Sequence, residues 1–112
     1  MKTEPSPLRI VLTTTASAEE ARKLGRALVE EGLAACVTLL PGAESIYRWK
    51  GQVESAAETL LLIKTAETHV ERLEKRLVAL HGYETPEFVV LAADSCAPGY
   101  LQWLLGSLSG GE

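Results

Sequence analysis

The chain has 112 residues, 46% of them hydrophobic and 23% charged, with a net charge of −4. That is one ordinary globular domain, long enough to bury a core without disulfide or metal staples. The negative balance, with no Lys/Arg-rich stripe, argues against nucleic acid as a partner. No stretch approaches the roughly 18 apolar residues of a membrane span, which argues against a membrane partner. The N-terminus has no apolar signal core, so the chain reads as cytoplasmic.

Residues 1–7, with prolines at positions 5 and 7, read as a flexible tail, and a single domain is expected over 8–108. Residues 9–14 are mostly apolar or β-branched and predict a first strand. Ser17-Ala18-Glu19-Glu20 matches a capping box opening a helix with Ala21, Leu24, Ala27 and Leu28 along one stripe. Gly32 supplies its stop.

Residues 34–40 predict a second strand. Pro41-Gly42 interrupts it, and strand-like residues resume from Ser45 to Lys50, so the pair is expected to form a bulge within one long strand. Lys50-Gly51 then predicts a hairpin turn, with a return strand to about Lys64. Both arms exceed the usual ~5–6 residues, and an arm that overhangs its own domain needs a partner chain.

Thr68-His69-Val70-Glu71 matches a second capping box, for a helix with the stripe Val70, Leu73, Leu77 and Leu80. His69 reads as solvated there. A fourth strand is expected over 88–93, and Pro98 marks the first turn of a short terminal helix. The order β-α-β-β-α-β plus a helix specifies an α+β, ferredoxin-like fold.

The densest polar run is Leu80-His81-Gly82-Tyr83-Glu84-Thr85-Pro86-Glu87, in a loop between helix and strand, where scaffolds commonly present binding groups. His81 is a candidate metal ligand, because neutral imidazole binds transition metals near neutral pH, although a histidine at a helix end also serves as a cap. Tyr83, Glu84 and Glu87 add acceptors that a cap does not need. Cys36 lies in an apolar strand and reads first as a small buried thiol, and as a soft Cu(I) donor if His81 or another sulfur comes close. Cys96 falls in a loop and is expected to be more exposed.

No spacing specifies a metal site, so any metal would need ligands from distant segments or subunits. Tyr47 and Trp49 alternate onto one strand face, suiting an interface or a cleft wall. Lys64, at a strand end, either snorkels to water or binds an anion. No nucleophile with a base and no nucleotide loop is apparent, which points away from an enzyme.

Ala35-Cys36-Val37, Pro41-Gly42, Ser45 to Gly51, Ile63-Lys64-Thr65, Leu80 to Glu87 and Tyr100-Leu101-Gln102-Trp103 together resemble the CutA family of divalent-cation tolerance proteins, over residues 9–105. The resemblance implies a homotrimer with PII-like architecture whose hairpins cross between subunits, with clefts at their boundaries. It implies binding of divalent metal ions, chiefly copper, and a part in the response to them. The family's metal or cleft positions fall on Cys36, Tyr47, Trp49, Lys64, His81, Tyr83, Glu84, Glu87 and Trp103. Gly82 departs from the proline common after this histidine, and that leaves the backbone beside His81 freer. A competing expectation is a PII-like signalling module that takes a small anionic metabolite with Lys64, Tyr83 and Trp103.

Overall fold

The computed structural model describes residues 4–110. In chain order it forms β1 (Leu8–Thr15), α1 (Ala18–Glu30), β2 (Cys36–Trp49), β3 (Gln52–Ala66), a 3-10 turn (Glu67–His69), α2 (Val70–Leu80), β4 (Val89–Ala92) and α3 (Pro98–Gly106). The sheet order is β2-β3-β1-β4, with every neighbouring pair antiparallel. This is the expected ferredoxin-like arrangement: β1 lies between β3 and β4, so each helix carries the chain over an intervening strand.

α1 begins as its sequence specifies, with Ser17 Oγ accepting from the Glu20 amide at 3.1 Å. It buries Ala21, Leu24, Gly25 and Leu28. Gly25 lets the helix approach the sheet closely, since a Cβ there would meet Val37 at 3.2 Å. Leu73 and Leu77 of α2 join Val11, Leu61 and Ile63 in the same core. Leu80, at the helix end, is exposed.

The second capping box does not form. The chain makes the 3-10 turn instead, α2 has no side-chain cap, and Thr68 Oγ1 lies 3.0 Å from His69 Nδ1. Nor is His69 solvated: it is 4% exposed, and its Nε2 is 2.8 Å from the Ser109 carbonyl. The C-terminal segment folds back to bury Leu104 and Leu108 beside Leu8, Ala35 and Ala66, bringing that carbonyl to the imidazole. Of the expected tail, residues 1–3 lie outside the described residues. Ser6 donates through both its amide and Oγ to the Ala93 carbonyl, at 3.0 and 2.9 Å.

β1 pairs with β3 only as far as Thr59. The rest of the hairpin, Ala43–Trp49 against Gln52–Glu58, extends about 24 Å beyond the sheet body. Lys50 and Gly51 both have positive φ, 50° and 82°, which makes the turn type I′. The bulge is present: Leu40 pairs with Leu60 and Ala43 with Glu58, leaving Pro41 and Gly42 opposite Thr59.

That extra residue changes which β2 side chains share a face. Cys36, Thr38 and Leu40 face away from α1 and α2, and beyond the bulge Ala43, Ser45, Tyr47 and Trp49 do so. This open face also carries Ile10, Leu12, Leu60, Leu62, Val89 and Leu91, and α3 covers only one end of it. β4 is shorter than expected because Phe88 leaves the strand to pack against the core. No helix among the described residues is long and apolar enough to cross a membrane.

Candidate functional site

The loop after α2 is held at three points. The Tyr83 amide donates to His81 Nδ1 at 3.0 Å, so that nitrogen is unprotonated. His81 Nε2 therefore carries the proton and donates to the Thr14 carbonyl at 2.7 Å. Thr14 lies just past Leu12, where β4 stops pairing with β1. The imidazole thus satisfies strand backbone at the sheet margin, and neither ring nitrogen is free in this conformation. The rings of His81 and Tyr83 are 4.9 Å apart.

The third point is the Tyr83 hydroxyl, which donates to Glu58 Oε2 at 2.6 Å. Burial raises the Glu58 pKa, but hydrogen bonding to the hydroxyls of Ser45, Tyr83 and Thr14 outweighs it and holds the carboxyl below its ordinary range. Tyr83 is pushed well above the ordinary phenol value by burial first, then by its bond to Glu58 and the nearby carboxylates. Glu58, Ser45 and Thr14 were not singled out from the sequence. The available signal was a carboxylate in the middle of a long strand, bordering its apolar half.

Gly82 has a packing reason. The Glu20 carboxylate lies against its α carbon, where a Cβ would collide with Oε2. Thr15, Glu20, Lys23, Leu80, His81 and Gly82 line a cleft of about 350 Å³ between the start of α1 and the end of α2.

A second cluster occupies the far end of the open face. Lys64 Nζ is 3.7 Å from Cys36 Sγ and donates to Thr38 Oγ1. Cys36 is therefore half-buried beside an ammonium rather than enclosed in apolar surroundings, because its strand face is the open one. Lys64 meets a thiol and a hydroxyl instead of snorkelling to water. Tyr100 is raised by burial and by the thiols of Cys36 and Cys96, and its ring is 5.5 Å from that of Trp103. Cys96 is half-buried against the second core.

The structure brings His81 and Tyr83 together and keeps Cys36 apart from them. Cys36 lies opposite Lys64, and Glu58 is six residues earlier on β3, about 20 Å along the strand. Glu84 and Glu87 are exposed, and Tyr47 and Trp49 lie farther out on the hairpin. Among the described residues, no group of three or more His, Cys, Asp or Glu side chains converges to hold a metal ion within the protomer.

Comparison with known proteins places this geometry in a family. The "divalent-cation tolerance protein CutA" of Thermus thermophilus is 48% identical over 95 residues, covering 85% of this chain and 92% of that protein. The chloroplastic CutA of Arabidopsis thaliana is 42% identical over 95% of this chain, which spans 57% of that longer protein. The crystal structure of CutA from Xylella fastidiosa superposes with a TM-score of 0.91 at 41% identity, covering 93% of this chain and all of that one. These names describe tolerance and no reaction. The family model for the CutA1 divalent ion tolerance protein matches residues 9–107, and the chain belongs to that family.

Proposed function

We propose that this protein is a non-enzymatic homotrimer that contributes to divalent-cation tolerance by binding a divalent metal, copper among them, in clefts between subunits. The observation that carries the assembly is the overhanging hairpin. Ile46 is 72%, Val53 66% and Trp49 57% exposed, on an arm with apolar side chains on both faces. Leu40, Val89 and Leu91 are likewise exposed on the open sheet face. Surfaces of this kind are covered by a partner in a soluble protein.

The metal reading rests on donor chemistry. His81 can ligate only by giving up its bond to Thr14 or to Tyr83, and the exposed Glu84 and Glu87 are hard donors in the same loop. Cys36 is a soft donor at the other end of the open face, so a set using both ends draws on two subunits. Sedimentation velocity should show a trimer at micromolar concentration, and calorimetry should show copper binding that weakens in His81→Ala. A trimer that takes up no copper would refute the metal reading, and a monomer would refute the assembly.

A further inference from the structure

The open sheet face carries few charges. By strand alternation they are Glu54, Glu58 and Lys64, amid leucines, aromatics and small residues. Glu58 accepts from the Tyr83 hydroxyl at 2.6 Å, with the hydroxyls of Ser45 and Thr14 beside it. Lys64 is half-buried, and its ammonium contacts only Cys36 Sγ and Thr38 Oγ1, with no carboxylate in ion-pair range among the described residues. Glu54, opposite Tyr47 on the overhanging arm, has no ion pair among the described residues either.

Glu54 and Lys64 cannot satisfy each other within one protomer. They lie on one strand, ten residues and about 33 Å apart. Opposite charges that share an apolar face but cannot meet within the molecule are complementary between molecules.

We infer that Lys64 is completed by Glu54 of a second copy of this chain, whose hairpin lies across the open face with Tyr47 and Trp49 turned toward it. This rests on the trimer reading and adds to it a specific contact. The contact is heterologous: one copy gives the arm and the next gives the Cys36–Lys64 end of its sheet, so repetition closes a ring. The aromatic side chains bury the arm, and the ion pair sets its register, since a slide of two residues would leave both charges desolvated and unpaired.

The test uses the full chain. Glu54→Lys should weaken assembly by about tenfold or more in sedimentation, as like charges meet at each interface, and adding Lys64→Glu should restore it. Glu54→Cys with Lys64→Cys, in a Cys36→Ser/Cys96→Ser background, should oxidise to a covalent trimer on a non-reducing gel, a readout that does not depend on the charge-swapped chain folding. A product that stops at dimer means a reciprocal two-fold contact and overturns the ring. An intact trimer with no swap effect and no cross-link overturns the contact while leaving the trimer reading in place. A monomeric wild-type protein overturns both. If inorganic phosphate raises the melting temperature of the wild type but not of Lys64→Glu, and Glu54→Lys assembles normally, Lys64 serves a free anion and the inference fails.

Discussion

Tyr83 Oη and Glu58 Oε2 are 2.6 Å apart, joining the loop after α2 to the root of the hairpin arm. Glu58 is the first residue of β3 beyond the reach of β1, paired with Ala43 immediately after the bulge. The bond therefore sits where the arm leaves the sheet body. The loop bearing His81 and the arm bearing Tyr47 and Trp49 are mechanically linked there.

Tyr83→Phe removes that donor and leaves Glu58 beside the hydroxyls of Ser45 and Thr14. A hydrogen bond to a charged group contributes roughly 1.5–3 kcal/mol when well shielded, and partial solvent access lowers this to about 1 kcal/mol here. Chemical denaturation of Tyr83→Phe should show a loss of that size. Hydrogen exchange should rise in residues 82–87 and at the hairpin root, whereas protection unchanged from wild type would mean the bond restrains neither segment.

The same pair gives a pH dependence of known sign. Glu58 titrates below the ordinary carboxyl value of 4.5 when folded and returns to that value when unfolded. Below pH 4.5 the unfolded chain takes up the proton first, so the Glu58 contribution is full above that pH and is lost as pH falls through the folded value. Tyr83 is the mirror case: its folded pKa is raised above 10.0, so its contribution is complete below pH 10 and declines as pH rises further. Glu58→Gln should flatten the acid limb of a stability profile, and an unchanged limb would count against the network.

Deleting Gly42 removes the bulge and its local bend, so that Leu40–Leu60, Pro41–Thr59 and Ala43–Glu58 become one uninterrupted ladder. Tyr47 and Trp49 keep their partners Glu54 and Gln52 and stay on the open side, but the arm leaves the sheet body in a different direction. The core from Val11 to Leu77 lies on the body side of the bulge, so the protomer should still fold. Assembly should fall sharply in sedimentation, with Trp49 fluorescence changed. An unaltered trimer would show that the bend at the bulge does not set the contact.

At the hairpin tip, Lys50 sits at φ 50°, in the left-handed region. Asparagine tolerates this conformation better and is favoured in a type I′ turn, so Lys50→Asn should stabilise by a few tenths to about 1 kcal/mol. Gly51, at φ 82°, should lose about 1 kcal/mol or more on substitution by alanine. Thermal melts of the two variants should move in opposite directions.

Gly82→Ala should be milder. Gly82 has no positive φ, and the atom its Cβ would strike is the end of the Glu20 side chain, which can swing toward solvent. A loss below about 1 kcal/mol is expected, vanishing in a Glu20→Ala background. A larger loss that persists without Glu20 would place the constraint in the backbone.

What could be read from the residues alone is what local chemistry controls. Ser17 caps α1, Leu73 and Leu77 form the buried stripe of α2, Pro98 opens α3, and Pro41-Gly42 bulges a strand that then continues. Each depends on neighbours a few positions away, where helical or strand periodicity and turn chemistry act directly. The loop from Leu80 to Glu87 stood out for the same reason.

Tertiary structure alone decided the partners of the polar groups. The second capping box lost to a 3-10 turn because Ser109, forty residues on, offered His69 a carbonyl. His81 was placed on the Thr14 carbonyl from 67 residues away, and Tyr83 on Glu58 from 25. Strand alternation set Tyr47 and Trp49 on a common face, but the bulge register put that face on the side of Cys36 and Lys64. Hydrogen bonds and ion pairs act over about 3 Å in space regardless of chain separation. Their partners are therefore settled only when strands pair and helices dock, whereas hydrophobic periodicity is already present in the linear order of residues.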